Sequence, residues 1–160
     1  MDPRLISIAA TFAKNDQLVP ATLAGVSDQH YRAIVLPGTN PMAWILGHLT
    51  GSRHGIDRLL GGDEEYPYGD RFRRGAAVGD PATTPAAADL LASWRAIGES
   101  ISARCARADA TLLGRPWPGP TPSFDGTVLG TLGFLALHEC YHLGQLGFLR
   151  KALGYPGMAG

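Results

Sequence analysis

The sequence predicts an all-α protein: a four-helix bundle with a long crossover loop between its second and third helices. Three observations carry this prediction. Four long segments place apolar residues at helical spacing, and no pair of alternating segments could build a strand ladder. Two connections, 63–83 and 114–126, are too irregular or too proline-rich to be helical. At 160 residues the chain is expected to form a single domain, residues 1–160, large enough to bury a full core.

The first helix is placed from Pro3 to Ala24. Pro3 suits a first turn, Leu5, Ile8, Ala9 and Phe12 make the apolar stripe, and Pro20 is expected to kink or shorten the end. Residues 25–39 read as a connection closing on Pro37-Gly38, with His30 a solvated loop residue. The second helix begins at Asn40-Pro41, with Asn as N-cap and Pro at the first position, and ends at Gly61-Gly62. Its inward stripe is Ile45, Leu49, Ser52, Ile56 and Leu59. His48 falls inside that stripe, whereas His54 lies about 120° away, toward Arg53, Asp57 and Arg58, and is expected to face water.

Residues 63–83 show no regular period. Extended, they could cross the whole bundle, letting the second and third helices run parallel. The third helix opens at Thr84-Pro85, and its stripe runs Leu90, Trp94, Ile97, Ile101, Cys105, Ala108 and Leu112. Four prolines between Gly114 and Gly126 exclude a helix there. Asp125 or Thr127 then caps the fourth helix, which ends at Gly154 and is apolar almost all round, so it is expected to be central. Its glycines, Gly130, Gly133, Gly144 and Gly147, are explained if other helices approach closely.

Fourteen basic and fourteen acidic residues leave no formal charge, so no electrostatic footprint marks a nucleic-acid or anionic-membrane partner. The N-terminus lacks the continuous apolar run of a secretory signal. The apolar run 128–153 carries His138, Glu139, His142, Gln145 and Arg150, which argues for a core helix rather than a membrane span. Cys105 and Cys140 make no disulfide framework, and the expected compartment is a reducing cytoplasm.

The chemistry concentrates on the fourth helix. His138 and His142, one turn apart, can aim their ring nitrogens at a single metal ion. With His48 on the second helix, three imidazoles fall on buried faces, and one divalent metal is the simplest partner for all of them. Three histidines with an open position are the donor set of a catalytic metal. His138-Glu139-Cys140-Tyr141-His142 also fits the HExxH pattern of zinc proteases. No third ligand follows, because residues 143–160 contain no His, Asp or Glu. Glu139 is expected at the surface or an interface. Trp44, one turn before His48, is assigned as a wall of the cofactor pocket. Tyr141 and Gln145 are the candidate catalytic donors; plain core packing is the alternative for Trp44, and satisfaction of a buried polar group the alternative for Gln145. Arg71, with Arg73 and Arg74, is either a solvated loop cluster or, in a loop closing over the site, a contact for an anionic cofactor or substrate.

Asn40-Pro41-Met42-Ala43-Trp44-Ile45-Leu46-Gly47-His48-Leu49 resembles the second-helix signature of the DinB-like (DinB/YfiT) superfamily. His138-Glu139-Cys140-Tyr141-His142-Leu143-Gly144-Gln145, followed by Arg150 and Gly154, resembles its last-helix signature. The resemblance implies a four-helix bundle with a three-histidine metal site at His48, His138 and His142, commonly holding zinc or nickel. It also implies a small-molecule substrate and, as in some members, a homodimer. Characterised members include S-transferases that use low-molecular-weight thiols such as bacillithiol and mycothiol. The expectation is therefore a cytoplasmic, metal-dependent thiol S-transferase, with a metal-dependent hydrolase and a non-catalytic metal- or ligand-binding module as the alternatives.

Overall fold

The computed structural model describes residues 1–157. Six helices order the described residues: α1 (Ile6–Leu23), α2 (Asp28–Arg32), α3 (Met42–Leu59), α4 (Ala87–Arg107), α5 (Ala110–Gly114) and α6 (Val128–Ala152). Short 3-10 turns occupy Pro3–Leu5, Gly69–Phe72 and Pro81–Thr83. Among the described residues there is no strand, only an isolated antiparallel bridge between Pro116 and Thr127. No described helix is long and apolar enough to cross a membrane.

The four long helices pack around one another: α3 against α4 and α6, and α1 against α4 and α6. Along α3 and α4 the contacts advance together, from Arg53 on Trp94, through Asp57 with Ser100, to Gly61 with Arg104. The same holds for α1 and α6, where Ile8 approaches Gly133, Asn15 bonds Glu139 and Thr22 accepts from Arg150. At the far end Arg150 donates to the carbonyls of Thr22 and Ala24 (3.1 and 2.7 Å), which the end of α1 leaves without helical partners, and to Pro156 O (2.7 Å).

Two apolar clusters fill the interior. One gathers Val19, Tyr31, Met42, Leu46, Leu90 and Leu146; the other gathers Phe12, Ile56, Ile97, Ile101, Leu132 and Leu135. Between them, at the middle of all four helices, lies a polar layer. Arg53, fully buried, donates through Nε and Nη2 to the Glu139 carboxylate (2.8 and 3.1 Å), through Nη1 to Asp16, and through Nη2 to Phe12 O (3.1 Å). Its guanidinium lies 3.5 Å from the centre of the Trp94 ring, and Asn15 donates to Glu139 at 3.0 Å. Each nitrogen of the guanidinium and each oxygen of the Glu139 carboxylate thus has a partner, as a buried ion pair requires.

Several expectations are corrected. Arg53, His54 and Asp57 do not face water: all three are buried, His54 with Nδ1 on Glu64 O and Asp57 held by Ser100 and Arg104. Glu139 is not a surface carboxylate. Nor is α6 the central helix. Thirteen of the eighteen residues of α3 are buried against ten of the twenty-five in α6, whose Leu137, Tyr141 and Phe148 are exposed.

His30 lies in α2 rather than a solvated loop, half-buried with Nδ1 2.9 Å from the Tyr155 hydroxyl. α3 starts one residue later than expected, with Pro41 rather than Asn40 in the extended cap position. α4 starts at Ala87 because Thr84 is already engaged, its hydroxyl donating to Asp80 O and its carbonyl accepting from Arg32. It ends before Ala108, since Asp109 accepts from Leu112 N (2.9 Å) and so caps α5 as a new start. At α6 the cap is Thr127, oriented by Asp125. Close neighbours crowd Gly130 and Gly133, mainly from the preceding connection, while Gly144 has open space beside it.

Candidate metal centre

α3 and α6 run in opposite directions and bring three imidazoles to one point. His48 Nε2 lies 3.0 Å from His138 Nε2, which lies 3.1 Å from His142 Nε2. Donors around a tetrahedral zinc ion stand about 3.3 Å apart, given metal–nitrogen bonds of about 2.0–2.1 Å. All three rings are half-buried and their donor atoms lie within 4.8 Å of one another.

The outer nitrogens show what the inner ones can do. His48 Nδ1 is 2.7 Å from Phe72 O, a group that can only accept, so that nitrogen carries the proton and Nε2 presents a lone pair. His142 Nδ1 is 2.7 Å from Gln145 Oε1, with the same consequence. His138 Nδ1 is buried without a protein partner. One proton on His138 Nε2 could serve only one of its two neighbours, so at least one lone pair would face another. A cation at the centre resolves that repulsion, and the three residues fit a divalent metal. Burial lowers the pKa of His48 and of His142, against the opposing pull of the Phe72 and Gln145 bonds. His138 falls to about 4, by burial first and then by its two imidazole neighbours. All three are therefore neutral at pH 7, the form that ligates.

The connection between α3 and α4 builds the back of this centre. The Phe72 ring covers Gly47, where even a Cβ would lie 2.5 Å from the ring, and Tyr66 packs on Gly51 while donating to Gly47 O at 2.7 Å. Trp44 stacks on His48, with centroids 5.0 Å apart and planes 15° apart.

Three other candidates are placed differently. Gln145 faces the back nitrogen of His142, which makes it a positioning residue rather than a donor to the open side. Tyr141 is 63% exposed; its ring meets the edge of His142 and its hydroxyl accepts from Gln145 at 3.2 Å. Arg71 turns away from the imidazoles to Thr83 and Thr84, and lines a separate small cleft with Trp44.

Beside His48 opens a cavity of about 560 Å³, lined by α3, by the Tyr66–Arg74 segment and by the Arg115–Thr121 segment. Phe72 and Tyr66 at the back of the site, and Trp117 in the cavity wall, are not identified by the sequence reading. The signal for the first two was the pair Gly47 and Gly51, one turn apart on the face of α3 that bears the connection.

An all-helical protein with three neutral imidazoles converging beside an open cavity belongs to the class of candidate mononuclear metal proteins. Residues 11–146, a stretch that contains all three histidines, match the DinB superfamily, and the chain belongs to that family. No curated protein matches the chain.

Proposed function

We propose that this protein is a metal-dependent enzyme of the thiol S-transferase type, with His48, His138 and His142 holding zinc or nickel. The observation that carries the reading is the pairing of a convergent, neutral three-histidine set with a cavity of metabolite size on its His48 side. A divalent metal held there supplies Lewis-acid chemistry, favouring the thiolate form of a bound low-molecular-weight thiol. The chain's own residues do the rest. Phe72 O and Gln145 hold two imidazoles in the ligating tautomer, and Trp44 fixes the plane of His48.

Hydrolysis is the second reading, and carboxylate placement ranks it lower. Glu139, the acid next to His138, is committed to Arg53 in the polar layer, which also removes the general base from the HExxH protease pattern. In the reading proposed here the four long helices form a four-helix bundle, a single domain with residues 60–86 as its crossover. The protein works in the cytoplasm on a small molecule. The exposed Leu137, Tyr141 and Phe148 face of α6 supports a homodimer.

The test is elemental analysis of protein purified without a histidine tag, wild type and His142→Ala together, followed by thiol consumption with a panel of electrophiles. About one equivalent of zinc or nickel in the wild type alone is expected, with thiol consumption above buffer. Metal without thiol consumption would move the hydrolase and binding-module readings ahead. Absence of metal from both proteins would defeat the metalloenzyme reading.

A further inference from the structure

The arginines divide sharply by what they meet. Arg4, Arg32, Arg53 and Arg104 each face a carboxylate at hydrogen-bond distance, Arg71 bonds threonines, and Arg150 bonds carbonyls. The side chains of Arg58, Arg74 and Arg115 make neither an ion pair nor a hydrogen bond among the described residues. Arg73 has only a 3.7 Å contact to Asp70, with both side chains at least 70% exposed. These four line one cavity, the one beside His48, although they come from three separate stretches: the last turn of α3, the connection to α4, and the connection to α6. Two more arginines without partners, Arg95 and Arg107, do not line it.

In a chain of zero net charge, four guanidinium groups against the single carboxylate of Asp70 make this cavity the strongest local imbalance described above. Like charges gathered without counter-charge repel, and an anion entering between them relieves that repulsion. Guanidinium is also the side chain whose planar fork matches carboxylate and phosphate oxygens. Trp117 and Tyr66 add aromatic wall for a carbon skeleton, and Ser52 and Thr121 add neutral polar contacts.

We propose that the cavity recognises a small molecule bearing at least two negative charges, as carboxylates or as a phosphate. The arginines hold its anionic end and direct the remainder toward His48. Recognition of the dianion stands on the cavity alone. That the dianion is the molecule transformed rests on the metalloenzyme reading above.

The probes are succinate and glycerol 2-phosphate, each compared with its neutral counterpart, succinamide and glycerol. Binding is measured by calorimetry on metal-depleted and zinc-loaded protein, wild type and Arg74→Gln/Arg115→Gln. In the wild type the dianions are expected to bind at least tenfold more tightly than the neutral compounds, with affinity falling as salt rises. The double variant should lose that preference while keeping its metal content and melting temperature. The stronger of the two dianions identifies carboxylate or phosphate as the recognised group. Equal binding of charged and neutral probes, no binding of either dianion, or a preference that survives in the double variant would each overturn the proposal. Dianion preference in a wild type that takes up no metal would sink the metalloenzyme reading and leave the anion site standing.

Discussion

Replacing Glu139 by alanine separates a structural acid from a catalytic one. Its carboxylate accepts three hydrogen bonds, two from Arg53 and one from Asn15, and all three side chains are buried. In Glu139→Ala the Arg53 cation keeps only Asp16 and Phe12 O, and the Asn15 amide loses its strong acceptor. Breaking a buried pair from one side costs about 3–5 kcal/mol. Because Asp16 remains, the lower end applies, about 3 kcal/mol. For a chain of this size that corresponds to a fall in Tm of about 6–12 °C.

The assay is thermal and urea unfolding of wild type, Glu139→Ala and the double variant Arg53→Met/Glu139→Leu, with metal content measured on each. The single variant is expected to lose this stability and keep its metal. The double variant should recover most of the loss, since an apolar pair leaves no charge unmatched. A Glu139→Ala protein that melts within about 2 °C of wild type but loses its metal or its turnover would refute the reasoning and return Glu139 to the chemistry.

Two further outcomes follow from the geometry. Gly47→Ala removes a helix glycine and so favours the helix locally, but its methyl group must displace the Phe72 ring and with it the carbonyl that orients His48. We expect a fall in metal affinity of about 10–100-fold with the helix content retained, read by competition with a chromophoric chelator; unchanged affinity would show that Phe72 does not position the ligand. In metal-free protein the depressed His138 makes stability depend on pH in a definite direction. Between 6.5 and about 4 the unfolded chain binds a proton that the folded chain refuses, so this contribution is complete above the ordinary histidine value and is lost as the pH falls toward 4. The Tm of chelator-treated wild type should therefore fall more steeply over that range than the Tm of His138→Leu, and parallel curves would exclude His138 as the group responsible.

Helical periodicity made the long helices legible, and with them the three-histidine cluster. The stripe Leu90–Cys105 is buried as written, and His48 falls where its neighbours Ile45 and Leu49 place it. What sequence pattern could not show was which polar residues have distant partners. Arg53 and Asp57 look solvent-facing because charge is costly to bury, and that cost is offset only by residues 86 and 47 positions away, Glu139 and Arg104. The result inverts the expected order of burial: the charged helix α3 is enclosed and the apolar helix α6 has an exposed side. The anion-facing arginines were equally hidden, because three separate stretches share one cavity only after the chain has folded. For Arg71 the neighbouring Arg73 and Arg74 suggested a common role, yet its own partners are two threonines of the same connection.

The joint made by Arg150 bears on how the chain assembles. The helix closest to the N-terminus and the one closest to the C-terminus lie side by side and end together, the carbonyls of Thr22 and Ala24 at the end of α1 gathered on the guanidinium of Arg150 from α6. That contact, like Asn15 with Glu139, spans more than 120 residues. A hairpin of neighbouring helices can zip from its loop, but this pair must meet by diffusion of nearly the whole chain. Loop-closure entropy therefore falls on the folding barrier, and the protein is expected to fold more slowly than an up-and-down helical protein of the same length. During synthesis Asp16 can find Arg53 as soon as α3 emerges, but Asn15 must wait for α6 to bring Glu139.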